Sequence, residues 1–538
     1  MIQLDAVSFS YGESAPRVLD NVSMRIEEGT LTAMVGRTGS GKSTLLRAVC
    51  GLVPHFSGGV FSGSVQLNGV DTVQHRPREL ANVVGFVDQD PARSFVADTV
   101  TDELAFTIEN LGIAPSAMRR RIADAAELVG IAELLERPLA SLSGGQAQRV
   151  AIASVLAAQP RIVILDEPTS ALDPAGAEEV LSAIHHLVHD IGLTVVLSEH
   201  RLERVAHLCD HVIVVKSSSS IQLHDAAHGW QHSELAPPVV ELARALDWQP
   251  VTRSVREARA QLEPYRELLA GAVSPSDHLH TSGRCVRRIE HFSFSYGQHL
   301  ALADVSLDVT AGEILAVMGR NGSGKSTLLH HLALGDTMHS SAPRRWRRRR
   351  LEQPDLSVAL VPQNPATLFL YNTLGEELAM SDRDGGAASS PGDTAGLVER
   401  LLGAPIGGLD RHPTELSHGQ QLAMALAIML TRRPQLIVLD EPTRGLDLVA
   451  KHRLTEVLRA CAARDVAVVI ATHDVEFVAG LADRVAVLER GRKIADAATR
   501  EVMCHSMSLA PQAARVAHPL EYVTVDELVA AVHSVQRT

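Results

Sequence analysis

No two of the five cysteines, Cys50, Cys209, Cys285, Cys461 and Cys504, form a Cys-x-x-Cys pair. That excludes an obvious zinc or iron–sulfur site, and scattered thiols fit a reducing cytosol. An excess of positive charge is also missing. The formal net charge is −13, which argues against an extended nucleic-acid surface, because phosphate binding runs on clustered Lys and Arg. Long apolar runs are absent too. The longest candidate, Leu422 to Leu430, falls far short of the roughly 18 residues that a membrane span needs. The N-terminal MIQLDAVSFSYGE has neither the charged start nor the long apolar core of a signal peptide. If the protein works at a membrane, its spanning helices are expected from a partner. What remains is an ordinary globular balance, 538 residues with 45% hydrophobic and 21% charged. At roughly 100–200 residues per domain that is room for about three to five domains.

The chain repeats itself. Phe9-Ser10-Tyr11-Gly12 recurs as Phe294-Ser295-Tyr296-Gly297. Gly36-Arg37-Thr38-Gly39-Ser40-Gly41-Lys42-Ser43-Thr44 recurs as Gly319-Arg320-Asn321-Gly322-Ser323-Gly324-Lys325-Ser326-Thr327. Leu142-Ser143-Gly144-Gly145-Gln146 recurs as Leu416-Ser417-His418-Gly419-Gln420, and Leu165-Asp166-Glu167-Pro168-Thr169 as Leu439-Asp440-Glu441-Pro442-Thr443. Ser143 precedes Asp166 by 23 positions, and Ser417 precedes Asp440 by the same 23. A period this long excludes a solenoid and makes each copy a domain. The expected boundaries are 1–216 and 285–499 for the two modules. A linker or tail of the first module covers 217–284, opened by the polar run Ser217 to Ser220, and a tail of the second covers 500–538. The tails resemble each other. Leu235-Ala236-Pro237-Pro238 and Ala243-Arg244-Ala245-Leu246 answer to Leu509-Ala510-Pro511-Gln512 and Ala514-Arg515-Val516-Ala517. The middle segment, with its amphipathic stretch Val239 to Leu246, is therefore more than a linker.

The pattern G-x-x-x-x-G-K-[ST] carries a mechanism. Apolar Leu31 to Val35 reads as a buried strand, and the glycines after it let the backbone aim amides at phosphate oxygens. The helix that starts near Lys42 turns its positive end to the same phosphates. Lys42 reaches the β and γ phosphates and Ser43 takes Mg²⁺. Leu315 to Met318, Lys325 and Ser326 repeat the arrangement. Arg161 to Leu165 and Gln435 to Leu439 are short apolar strands that each end in Asp-Glu, at the carboxyl end where α/β sheets bind ligands. Asp166 and Asp440 are placed to hold Mg²⁺, and Glu167 and Glu441 to polarise an attacking water.

On these residues the chain resembles the ATP-binding-cassette family over nearly its whole length. Leu142-Ser143-Gly144-Gly145-Gln146 is that family's own signature. The resemblance implies ATP as the nucleotide and an α/β fold made twice. Each copy has a parallel-sheet core, a small antiparallel β part and a helical part before the signature. It implies head-to-tail pairing, so that each ATP lies between one module's phosphate loop and the other's signature. It makes Tyr11 and Tyr296 the rings that stack on adenine. Gln89 and Gln363 become the glutamines that touch Mg²⁺ and water, Asp173 and Asp447 the aspartates after the Mg²⁺-binding strand, and His200 and His473 the histidines that meet the γ-phosphate. Each histidine follows an apolar strand, 34 and 33 positions after its Asp.

His418 departs from the signature, since it stands where the first glycine is expected. A Cβ and an imidazole occupy a place the family keeps open to the nucleotide. In the head-to-tail arrangement the site with Lys42, Glu167 and His200 receives the altered signature, and the site with Lys325, Glu441 and His473 the regular one. A second difference is spacing. Gln89 lies 47 positions after Lys42 and Gln363 only 38 after Lys325. The shortened stretch holds the basic run Arg344-Arg345-Trp346-Arg347-Arg348-Arg349-Arg350. It reads as a loop replacing part of the small β region, or as a contact for lipid headgroups or a partner.

Val84-Gly85-Phe86-Val87-Asp88-Gln89-Asp90-Pro91, Asp98-Thr99-Val100, Glu103-Leu104-Ala105-Phe106 and Glu109-Asn110-Leu111-Gly112 resemble the ATPases of energy-coupling-factor importers. So does the tail at Pro237 to Leu246. The resemblance implies an ATPase subunit, peripheral on the cytoplasmic face of the membrane. Its partners would be a transmembrane coupling protein and a substrate-binding membrane protein for a vitamin, a vitamin precursor, or cobalt or nickel ions. The alternative is a soluble tandem cassette ATPase acting on ribosomes or nucleic acid. Against it stand the negative charge, the missing cluster cysteines and the missing long charged helical linker.

Overall fold

Leu31–Gly36 (LTAMVG) and Ile162–Asp166 (IVILD) are buried at every position. Only a strand covered on both faces asks for such continuous apolar runs, and that covering comes from helices that cross over between parallel strands. The structure, a computed structural model, describes residues 1–91, 94–170, 172–271, 283–334, 357–385 and 390–536. Two units divide the chain, Met1–Gln261 and Leu262–Thr538.

In the first unit the strands are β1 (Ile2–Ser10), β2 (Leu19–Ile26), β3 (Leu31–Gly36), β4 (Val60–Leu67), β5 (Val70–Asp71), β6 (Val84–Val87), β7 (Ile162–Asp166), β8 (Thr194–Ser198), β9 (His211–Ser217) and β10 (Ser220–Asp225). The main sheet runs β10-β9-β3-β8-β7-β6. It is parallel from β6 to β9, and only the edge strand β10 is antiparallel. A second, antiparallel sheet runs β2-β1-β4-β5. One core joins it to the helix Lys42–Val49 and to alternate residues of the main sheet, among them Met34, Ile162, Ile164, Val196 and Ile213. The helices Val100–Asn110 and Pro115–Leu128 precede the signature helix Gly144–Leu156.

The second unit repeats the plan with β11 (Cys285–Tyr296), β12 (His299–Thr310), β13 (Ile314–Met318), β14 (Val358–Val361), β15 (Leu436–Asp440), β16 (Ala467–Ala471), β17 (Arg484–Glu489) and β18 (Arg492–Ala498). Its main sheet runs β14-β15-β16-β13-β17-β18. The two-residue period of the strands splits their side chains between two cores. Leu436 and Val438 pack with β11, β12 and the helix Lys325–Leu334, whereas Ile437 and Leu439 pack with the helix His418–Thr431. Helices therefore cover both faces, as the α/β reading requires. Among the described residues the antiparallel part has two strands here. The basic run Arg344–Arg350 lies outside the described residues.

The polar run at Ser217 does not close the first module. It is the turn of the β9–β10 hairpin, in which Ser220 pairs with Ser217 and Asp225 with His211. The boundary expected at 216/217 therefore cuts through the main sheet. Its residues past the turn are packed as well. Trp230 is buried, and so are Val239, Val240, Leu242 and Ala243 on the helix Pro238–Ala245. The Arg244 guanidinium donates to the carbonyls of Trp230 and Ser233. In the second unit Arg515 Nε donates to the Ala510 carbonyl at 2.9 Å, on the matching helix Gln512–Ala517.

Arg500 fastens the last segment of the second unit. Its guanidinium lies 2.8 Å from Glu527 Oε1, and the Val523 amide donates to the other oxygen of Glu527 at 2.9 Å. Burial pushes the Glu527 carboxyl up, but the Arg500 hydrogen bond, the backbone amides of Val523 and Thr524 and the Arg500 charge outweigh it and hold it below the usual range. A depressed carboxyl contributes stability above its unfolded value of about 4.3 and loses it as pH falls through the lower folded value. Arg500→Ala leaves a half-buried carboxylate without its cation, so a loss of about 2 kcal/mol is expected at pH 7. The expected drop in Tm is about 4–8 °C, shrinking in melts below about pH 4.

Candidate functional site

β3 ends at Gly36, where an added Cβ would stand 2.5 Å from the Val215 carbonyl oxygen. The loop then turns through Gly39 and Gly41, both in the left-handed region at φ +78° and +101°. Thr38 and Gly39 form its exposed tip, and Ser40 N closes the turn on the Arg37 carbonyl at 3.1 Å. The helix Lys42–Val49 follows with Gly41 at its N-cap and no side-chain cap. Its first amides thus point into the loop. Lys42 is buried, and its Nζ donates to the carbonyls of Gly36 at 2.7 Å and Arg37 at 3.0 Å. The second unit repeats this closely. Lys325 Nζ donates to Gly319 O at 2.8 Å and Arg320 O at 3.1 Å, Gly322 and Gly324 lie at φ +77° and +99°, and Asn321 and Gly322 are exposed. Arg37 reaches outward and pairs with Glu234 at 3.0 Å.

Asp166 and Asp440 end their strands buried behind these loops. Burial raises both carboxyls, and neighbouring Glu167 or Glu441 adds to the rise. Hydrogen bonds from Ser198 and Ser43 oppose it at Asp166, and one from Ser326 opposes it at Asp440. The next residue, Glu167 or Glu441, has φ +49° or +50°. A glutamate holds this conformation at a cost of about 1–3 kcal/mol, and only where its surroundings fix it. Glu167 Oε2 accepts from Gln89 Nε2 at 2.6 Å, and His200 Nε2 lies 2.8 Å from Oε1. His473 Nδ1 lies 2.7 Å from Glu441 Oε2, which also accepts from Thr472 Oγ1 at 3.3 Å. Gln363 is exposed, whereas Gln89 is part-buried against Glu167. The two units therefore agree at Asp, Glu and His and differ at Gln.

Tyr11 and Tyr296 match in detail. Each ring is about half exposed and meets a phenylalanine edge-on, Phe9 or Phe294, at 4.9 Å and 80°. Tyr11 Oη lies 3.0 Å from Thr44 Oγ1, and Tyr296 Oη 3.5 Å from Thr327 Oγ1. Each hydroxyl thereby meets the helix that carries the loop lysine.

The signature residues serve as helix caps. Ser143 Oγ accepts from Gln146 N at 3.3 Å while Gln146 Oε1 accepts from Ser143 N at 3.0 Å, and Ser417 and Gln420 repeat both distances. The sequence carries this sign as S-x-x-Q, the capping box. His418 is the first residue of its helix with ordinary negative φ, so it leaves the cap intact. Gly145 approaches Gly176, and a Cβ on Gly419 would touch Leu446 at 3.0 Å. Gly144 is exposed. Asp173 and Asp447 are N-caps too. They accept from Gly176 N at 2.9 Å and Ala450 N at 2.8 Å.

Sequence reasoning missed Ser198. In the parallel register of β7 and β8 it stands beside Asp166. In the second unit Ala471 holds that place beside Asp440.

The ABC transporter family matches residues 19–170 and 302–444. A "Putative ABC transporter ATP-binding protein" of Streptomyces avermitilis is 44% identical over 98% of this chain and 99% of its own length. One of Bacillus anthracis is 32% identical, over 93% of this chain and 92% of its own. Among solved structures, the archaeal ribosome recycling factor aABCE1, in complex with the ribosomal stalk protein aP1, superposes with a TM-score of 0.59. It is 22% identical and covers 93% of this chain and 91% of that one. At that identity the likeness is one of fold.

Proposed function

We propose, from the premise that this chain belongs to the ABC transporter family and is an ATPase with two cassettes, that it powers an importer of the energy-coupling-factor type. The observation that supports two working centres is the cluster of Asp, strained Glu and His behind a phosphate loop, built once in each unit. The importer reading rests on the residues around Gln89 and the tail at Pro237. Its cargo is a vitamin, a vitamin precursor or a transition-metal ion.

In this reading Lys42 and Lys325 hold the β and γ phosphates, together with the loop amides of 36–44 and 319–327. Tyr11 and Tyr296 stack on adenine. The signatures Ser143–Gln146 and Ser417–Gln420 and the aspartates Asp173 and Asp447 complete the nucleotide sites. A buried carboxylate hydrogen-bonded to a serine hydroxyl at a helix start suits Mg²⁺, which takes few protein ligands beside phosphate oxygens. Ser43 with Asp166 and Gln89, and Ser326 with Asp440 and Gln363, would hold it. When bound, the ion neutralises charge between the β and γ phosphates. Glu167 and Glu441 orient the attacking water and draw off its proton. Their carboxylates are already aimed by the histidines His200 and His473, which meet the γ-phosphate.

Among the described residues no helix is long and apolar enough to cross a membrane. The reading therefore places the protein on the cytoplasmic face of a membrane, bound to a transmembrane coupling subunit and a substrate-binding membrane subunit. Affinity purification from detergent-solubilised membranes is expected to recover a polytopic membrane protein. Recovery of ribosomal subunits without one sinks the importer reading in favour of the ribosome-acting alternative.

A further inference from the structure

The strained glutamates need something to fix their backbone, and the two units do this differently. In the first unit Ser198, fully buried at the end of β8, sits between Asp166 and Glu167. Its Oγ donates to Asp166 Oδ1 at 2.6 Å and accepts from the Glu167 amide at 3.0 Å, and its carbonyl oxygen lies 3.2 Å from that same amide. One hydroxyl thus ties the carboxylate behind the phosphate loop to the backbone of the water-orienting residue. Glu167 meets Gln89 with one carboxylate oxygen and His200 with the other. In the second unit the neighbour in register is Ala471, which brings no hydroxyl, and the Glu441 amide donates to its carbonyl at 2.8 Å. A hydroxyl reaches Glu441 from Thr472. It donates to the Glu441 carboxylate itself, on the oxygen nearest His473, and also lies 3.2 Å from Thr443 Oγ1.

We infer that Ser198 is a positioning residue for hydrolysis in the first cassette. It locks the Asp166–Glu167 pair through a hydroxyl that the second cassette lacks, where Thr472 steadies the carboxylate instead. The inference rests on the reading of Glu167 as the group that orients water. It adds a residue to that centre and makes the two centres unequal by construction. Ser198 touches neither water nor phosphate in this role. Its loss should slow the chemical step and leave nucleotide binding in place. A side chain needed only for packing would move stability and binding instead. Ala is tolerated at this place, since Ala471 fills it in the second unit.

The test compares Ser198→Ala with Glu167→Gln in the full chain, each alone and combined with Glu441→Gln. Where the Glu441→Gln chain still turns over, that background isolates the first centre. Where it does not and Glu167→Gln is silent too, the centres fire together and the unmodified chain is the right background. The expected result for Ser198→Ala is a fall in kcat of about tenfold, the size of one lost buried hydrogen bond in the transition state. KM for ATP and equilibrium binding of a fluorescent ATP analogue should stay within about twofold. In the reverse direction, Ala471→Ser with Glu167→Gln should raise kcat about twofold to threefold. Normal turnover of Ser198→Ala beside an inactive Glu167→Gln overturns the inference and leaves the site reading standing. Loss of nucleotide binding in Ser198→Ala also overturns it, as a structural role. If Glu167→Gln turns over normally as well, the reading of the site fails first and the inference with it.

Discussion

Replacing Lys42 and Lys325 together by Ala is expected to abolish nucleotide binding and with it all ATPase activity. Each ammonium is buried, 6–7% exposed, and held within 2.7–3.1 Å of two carbonyls of its own loop. The side chain is thus stretched across the loop before any ligand arrives, and little order remains to be imposed on it. Phosphate oxygens that enter the loop meet a desolvated cation, where charge-assisted hydrogen bonds are strong. A hydrogen bond to a charged group contributes roughly 1.5–3 kcal/mol, and the β and γ phosphates each take one. Losing both raises Kd by at least about a hundredfold. Ala is a better helix former than Lys at the first turn, so the fold should persist. Titration calorimetry with ATP checks the binding, and a melting curve checks the fold. Each single variant should keep one binding event. Normal turnover in the double variant refutes the assignment of both loops.

Much of this was legible because the chemistry needs fixed residue types in fixed order. Buried parallel strands must be apolar throughout, so Leu31 to Val35 and Arg161 to Leu165 announced β3 and β7. The loops that follow need glycine at positive φ, and the glycines stand in both copies. The edge strand β10 was not legible. Of its six residues Ile221 alone is buried, and Ser220, Gln222 and His224 are polar, so a hairpin turn read as a domain end. Neither was the clamp at Ser198, because a serine at a strand's last position becomes informative only through its neighbour in register. The difference between Gln89 and Gln363 was half visible. The nine-position shortening before Gln363 marks a changed approach to the loop, but where the side chain ends up depends on backbone placement. The aspartates after the Mg²⁺-binding strands carried a second sign that went unread. Asp173 precedes Pro174, and a short polar residue before proline and a helix is an N-cap signal.

Glu167→Gln and Glu441→Gln are each expected to stall hydrolysis at their own centre while ATP stays bound. Glutamine keeps the size of the side chain and a carbonyl oxygen for His200 or His473, but it has no negative charge with which to draw a proton from water. General-base assistance is worth typically 10²–10⁴-fold, so the loss at a dominant centre is easily measured. The resemblance to the family assigns His418 to the first centre and the regular signature Ser143-Gly144-Gly145 to the second. On that basis most turnover is expected through the second centre, and Glu441→Gln is expected to cost more activity than Glu167→Gln. The backbone at His418 bears on where such a handicap would arise. His418 keeps ordinary helical backbone and the Ser417 capping box has the same distances as that of Ser143. Only the imidazole's bulk and hydrogen-bonding groups then distinguish the two signatures, and removing them should restore the first centre. Tight coupling can mask the comparison of the two glutamates, because centres that fire together are silenced equally by either change. His418→Gly escapes that difficulty. It should raise the basal rate, or bring the two glutamine variants closer together, and steady-state phosphate release reads both. If neither quantity moves, the imidazole is a tolerated substitution, and any inequality of the centres must come from within each cassette, at Ser198 and Ala471 or at Gln89 and Gln363.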